Sequence, residues 1–222
     1  MASWGFVVIA TEDSFTGLGR TILDGVKYMI QLDCCKPNNN IFYHKLDKNQ
    51  IGAFGHSQGA GGAIRAFMAS AGTIKTVVPI ELPAQVFCTF GPKCIDTKNL
   101  KSGSIFFIDG SNDSISPPTQ PSWLTGEQSI EAYYAATPTN VEKVKGTIIG
   151  PGHNDIQGQP QCPADRHVPG CINGVYGYLG YPTAWFMDRL QGDAYAHGAF
   201  VNGTGEMFSE TTNWELVASN IQ

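Results

Sequence analysis

Charge is scarce in this chain. Asp, Glu, Lys and Arg make up only 15% of its 222 residues, and the balance is acidic, with a formal net charge of −5. Nucleic acid and anionic membrane surfaces are bound through basic patches, so neither is an expected partner. No apolar run approaches the length of a membrane-spanning helix. The start of the chain lacks the basic region and cleavage site of a signal peptide, so a secreted form would take its signal from outside this sequence. There is no Cys-x-x-Cys pair and no histidine cluster, the usual marks of a zinc site. No metal or cofactor is therefore expected. Internal repeats and low-complexity tracts are also missing.

Apolar residues are plentiful at 42%, as are glycine (26) and proline (13). This composition suits short elements joined by tight loops, and the length suits one domain over residues 1–222. There are six cysteines: Cys34, Cys35, Cys88, Cys94, Cys162 and Cys171. Cys88/Cys94 and Cys162/Cys171 are each closely spaced in loop-like sequence. Their expected state is two local disulfides, which implies an oxidising compartment, hence secretion. Free thiols in a reducing compartment are the alternative. The pairing of Cys34 and Cys35 stays open.

Hydrophobic patterning predicts alternating strands and helices. Gly5 to Thr11 reads as a buried strand, as do Ile51 to Phe54, Ile74 to Ile80, Ser104 to Ile108 and Gly146 to Gly150. Helical spacing covers Thr16 to Leu32, Gln58 to Ala71, Glu127 to Ala136 and Pro182 to Leu190. The alternation implies an α/β class with a doubly wound, mostly parallel sheet.

One motif carries chemistry. Gly55-His56-Ser57-Gln58-Gly59 matches Gly-x-Ser-x-Gly, a weak signal by itself in a glycine-rich chain. Its context is better: an apolar strand enters it and a helix of small residues leaves it. That arrangement places a serine on a sharp turn with its hydroxyl exposed, the nucleophile elbow of α/β-hydrolases. The N–H of Gln58, the next residue, is the expected oxyanion donor. A serine needs a base, and the base needs a carboxylate. His153 follows a strand in Gly150-Pro151-Gly152-His153, where catalytic groups gather in open α/β sheets. His167 and His197 are expected at the surface. Asp113, in Asn112-Asp113-Ser114, follows the strand ending at Ile108, and Asp109 is its competitor. An ordinary turn aspartate is the bland alternative for Asp113, and the chain order and its placement favour the triad.

These segments together resemble a known family. Ala2-Ser3-Trp4-Gly5-Phe6-Val7-Val8-Ile9, Gly55 to Gly62, Asn112-Asp113-Ser114-Ile115-Ser116-Pro117 and Gly152-His153 occur in the order seen in bacterial cutinase-like polyesterases, which include the poly(ethylene terephthalate) hydrolases. The resemblance covers Met1 to about Leu190. It implies an α/β-hydrolase fold, a Ser57–His153–Asp113 triad, and Gln58 as oxyanion donor in place of the family's usual methionine. It also places His56 beside the substrate and Ile115 in the acyl pocket.

Two departures matter. Glu81-Leu82-Pro83 stands where the family carries an aromatic wall. The family's N-terminal strands before Gly5 are not in this sequence, so the resemblance implies an N-terminally truncated sheet of about five strands. In that case the Gly5 and Ile51 strands pair directly, or another chain, such as a second copy in a homo-oligomer, fills the gap. The second oxyanion donor is also lost with that portion. One such donor contributed about 10²–10³ in rate in a studied protease, so weak activity is expected, with Thr11 to Thr16 the nearest source of a replacement.

The expected function is hydrolysis of carboxylic esters, with aromatic polyesters as one substrate class. The loop aromatics Phe15, Phe87, Phe90, Trp123, Tyr133, Tyr176 and Tyr178 would suit an apolar acyl group, unless they are core residues. The alternatives are a dienelactone-hydrolase-like enzyme for small esters, or a non-catalytic remnant of a hydrolase.

Overall fold

A computed structural model of the chain describes residues 1–35, 40–90, 94–157 and 177–222. Cys162, Cys171, His167 and Tyr176 lie outside the described residues, and so does the expected Cys162–Cys171 disulfide. The elements are α1 (Arg20–Cys35), β1 (Ile51–His56), α2 (Gln58–Ala69), β2 (Ile74–Ile80), β3 (Ser104–Gly110), α3 (Ile130–Ala136) and β4 (Glu142–Ile148). After these come α4 (Gly180–Phe186), which continues as a π turn through Gln191, then α5 (Ala194–Gly198), α6 (Glu206–Ser209) and β5 (Trp214–Ser219).

The five strands form one sheet in the order β1-β2-β3-β4-β5. The first four are parallel, and β5 runs antiparallel to β4. The period-2 alternation of side chains sends each strand's residues to two cores. Ile105 and Phe107 of β3 face one layer, with Ala63, Ile64 and Phe67 of α2 and Ile130 and Tyr133 of α3. Phe106 and Ile108 face the other, with Trp185 and Phe186 of α4, Phe200 and Trp214. The Phe106 ring lies 5.7 Å from Trp185, 5.6 Å from Phe200 and 6.3 Å from Trp214. The sheet is thus α/β, mostly parallel and covered on both faces.

The sequence places three of the parallel strands well and misplaces the others. Gly5 to Thr11 is not a strand. Residues 6–13 have no regular structure, and Val7, Val8 and Ile9 are about half exposed. The segment lies across from β1 without pairing to it, and a cleft of about 730 Å³ lined by Phe6–Ile9, Ile51, Gly52, Phe54 and Phe186 separates them. A strand needs a neighbour for its backbone groups, and none of the described residues supplies one here. The direct Gly5–Ile51 pairing is therefore not found.

The strand expected at Gly146 begins earlier, at Glu142. Lys143 and Lys145 hid its start, because lysine reads as solvent-facing. Both are buried, and their ammonium groups donate to main-chain carbonyls, Lys143 to Tyr134 (2.8 Å) and Lys145 to Leu216 (2.8 Å). The fifth strand is β5, which the hydrophobic pattern does not announce.

The cysteines also depart from expectation. Cys34 and Cys35 are joined to each other. Cys88 and Cys94 are thiols in contact, not a disulfide. Burial, with the neighbouring Cys94, pushes the Cys88 thiol up to about 12.

Candidate active site

The turn after β1 is strained where the sequence motif says it should be. Ser57 has φ 54° and ψ −119°, between the end of β1 and the first turn of α2. Few side chains tolerate positive φ, so the surroundings must hold it. Its N–H donates to the Ile80 carbonyl of β2 at 3.0 Å, and its carbonyl accepts from the Ala60 N–H at 2.9 Å. Gly55 is obligatory here, because a Cβ would sit 2.3 Å from the Gly59 carbonyl oxygen. Gly62 answers a different need. A Cβ there would lie 2.1 Å from the Thr16 carbonyl oxygen, so its absence lets the 16–19 turn press onto α2.

Two loops are fastened together across the ends of β3 and β4. Ser111 N–H donates to Ile148 O (2.9 Å), Gly150 N–H to Ser111 Oγ (2.8 Å) and Asn112 N–H to Pro151 O (2.9 Å). The Asn112 amide adds a bond to Gly150 O at 2.7 Å. Gly110 permits the approach, since a Cβ there would be 2.3 Å from Pro151 O. This lacing sets Asp113 on one loop against His153 on the other.

The three expected groups meet. His153 Nε2 lies 2.7 Å from Ser57 Oγ, and His153 Nδ1 lies 2.8 Å from Asp113 Oδ2. With Nδ1–H donating to the carboxylate, Nε2 is left to accept from the serine hydroxyl. The other Asp113 oxygen, Oδ1, accepts from the N–H groups of Ile115 (2.8 Å) and Ser116 (2.9 Å). Asp113 is therefore both the turn aspartate and the partner of His153, one role per oxygen. Burial pulls the His153 imidazolium down, but the Asp113 hydrogen bond and the charges of Asp113 and Glu81 outweigh it, and the net shift is upward.

Asp109 does not compete. It is fully buried, its Oδ1 accepts from Thr147 Oγ at 2.8 Å, and burial pushes its carboxyl well above the ordinary range. His197 lies elsewhere, with Nδ1 3.3 Å from Asp188.

The Gln58 N–H heads the 12-residue α2, where the helix dipole favours a developing anion. The Gln58 side chain accepts from the Gly17 N–H at 3.4 Å, which brings the turn after Thr11–Thr16 to the elbow. In that segment the Asp13 and Phe15 N–H groups are already bonded, to Thr11 Oγ (3.1 Å) and Asp13 Oδ1 (2.8 Å). Ile115 is half-buried, and its carbonyl accepts from Ala84. Of the loop aromatics, Tyr133 and Tyr178 are core residues, whereas Phe15, Phe87 and Trp123 are exposed.

One residue at this site, Glu81, was not singled out from sequence as functional. Glu81 follows β2 directly, with φ 52°, and is fully buried. Its Oε2 lies 2.7 Å from His56 Nε2 and 4.0 Å from His153 Nδ1. Its Oε1 accepts from the Tyr178 hydroxyl at 2.5 Å. A charged residue closing an apolar strand was the available signal. His56, Glu81 and His153 bring donor atoms within 4.8 Å of one another, a spacing a metal could use. Each of the two imidazoles is already engaged by protein groups, His56 with the His153 carbonyl and His153 with Asp113 and Ser57.

The chain matches no protein-family model, and no curated protein matches it.

Proposed function

We propose that this protein is a serine carboxylic-ester hydrolase with an α/β-hydrolase fold. One observation carries the proposal. A serine on a strained strand-to-helix turn, a histidine and a buried aspartate are linked at 2.7 and 2.8 Å, in the chain order Ser, Asp, His. That order and the positive φ of Ser57 belong to the nucleophile elbow of α/β-hydrolases.

In this reading Ser57 Oγ attacks the ester carbonyl while His153 Nε2 takes its proton. Asp113 holds the imidazole in the required tautomer and steadies the imidazolium. The Gln58 N–H and the N-terminus of α2 stabilise the oxyanion. His153 then protonates the leaving alcohol, and a water activated by the same nitrogen releases the acyl group. His56 borders the reacting serine, and Ile115 lines the acyl side. The polyester substrate class and an extracellular location rest on the resemblance to cutinase-like polyesterases. Among the described residues no helix is long and apolar enough to cross a bilayer.

A second reading, a weakly active remnant of such an enzyme, is favoured by the outer edge of β1, which no described residue pairs. Turnover of a short-chain p-nitrophenyl ester decides between them. The hydrolase reading expects clear turnover that falls by a factor on the order of 10⁶ in Ser57→Ala, the loss seen when a protease triad loses its serine. Turnover that survives Ser57→Ala sinks the site assignment.

A further inference from the structure

Glu81 is an unusual residue for its position. It ends an apolar strand, is fully buried and holds φ 52°, a region glutamate adopts only under constraint. Burying a carboxylate is costly unless it is paired. All its side-chain partners lie at the candidate site: Tyr178 at 2.5 Å, His56 at 2.7 Å and His153 at 4.0 Å. Its main chain is tied down too, since the Glu81 N–H donates to Ile108 O of β3 at 2.7 Å. Yet Oε2 receives no hydrogen bond of good angle, because the His56 Nε2–H is directed at the His153 carbonyl, 2.7 Å away. A buried carboxylate oxygen flanked by two imidazoles, and lacking a directed donor, acts on both through its charge.

We infer that Glu81 is a positioning residue: a second carboxylate that clamps His56 beside the nucleophile and supports the positive charge that His153 gains on taking the Ser57 proton. The inference rests on the triad reading above. Asp113 makes the direct bond to His153, while Glu81 works from 4.0 Å without one, so its share is the smaller. The groups that face it are His56 at the end of β1, Tyr178 ahead of α4, Asp109 on β3, Asp113 on the loop after β3 and His153 on the loop after β4. Burial raises the Glu81 carboxyl, while the His56 contact and the Tyr178 hydrogen bond pull it back toward ionisation. Asp113 opposes that ionisation. Burial raises the neighbouring Asp109 carboxyl as well.

The test is the pH profile of kcat/KM on a p-nitrophenyl ester. Glu81→Gln keeps the shape and an acceptor for Tyr178 but removes the charge. Without that charge His153 gives up its proton more readily, so the acid limb moves to lower pH, by a few tenths of a unit to about one. Tyr178→Phe, a milder change to the core, leaves Oε1 without its donor. Glu81 then keeps its proton to higher pH, and the limb moves the same way by less. A purely structural role lowers turnover and leaves the limb where it was, so an unmoved limb in both variants overturns the inference. If Ser57→Ala abolishes turnover while the limb stays put, only the role of Glu81 fails. If turnover survives Ser57→Ala, the triad and the role of Glu81 fail together.

Discussion

Strands β1 and β3 end at the same site in different surroundings. β3 is paired on both sides and buried along its whole length. Among the described residues β1 is paired only to β2, with Phe54 44% exposed on its other side. Yet Ser57 after β1 is held by hydrogen bonds, as Asp113 after β3 is. The reason lies in what holds the elbow. Its bonds run inward, from the Ser57 N–H to Ile80 of β2 and through α2, whose small residues seat it against the 16–19 turn. An outer neighbour for β1 contributes nothing to that set. Completeness of the sheet and placement of the Ser57 turn are therefore separable.

Four measurements press on this contrast. The largest effect belongs to the site itself. Asp113→Asn leaves the geometry intact but favours the wrong imidazole tautomer, and kcat on a p-nitrophenyl ester should fall about 10⁴-fold. A loss under tenfold would mean that the lacing of the two loops does not serve catalysis. Next comes the packing of the two strands. Phe106→Ala on buried β3 should cost about 3–5 kcal/mol, read from urea unfolding. Phe54→Ala on the open edge should stay within about 0.5 kcal/mol. Equal costs would show that the β1 edge is covered in solution.

Gly55→Ala tests whether the elbow tolerates any addition. The new methyl would lie 2.3 Å from the Gly59 carbonyl oxygen. A stability loss of about 1–3 kcal/mol should accompany reduced turnover. Full activity at full stability would remove the strain argument.

The smallest effect is the placement of the acid limb. His153 is raised above its ordinary value of 6.5, and only its neutral form accepts the Ser57 proton. Activity should therefore be half lost at a pH above 6.5 and fall further on acidification. A midpoint below 6.5 would show that burial outweighs Asp113 and Glu81.

Much of this was legible in particular residues. The apolar runs at Ile51, Ile74 and Ser104 announced three parallel strands, because buried strands must be apolar on both faces. Ser57, Asp113 and His153 could be named because each follows such a strand, where the fold collects its loops. Gly5 to Thr11 misled for the same reason. It is as apolar as a buried strand, but composition cannot say whether a neighbour exists to pair with it. Lys143 and Lys145 misled in the opposite direction, since their buried ammonium groups depend on carbonyls far away in the chain. Cys88 and Cys94 were close in sequence and are close in space, but proximity does not decide oxidation.

The sequence by itself determined the α/β class and the order of the chemistry, since hydrophobic period and turn chemistry are local properties. Only the tertiary structure decided which groups touch. It joined Asp113 to His153 through loops about forty residues apart, set Glu81 under both imidazoles, and left β1 with an open edge. Those outcomes depend on which backbone and side-chain partners arrive from distant segments, and no local pattern encodes that.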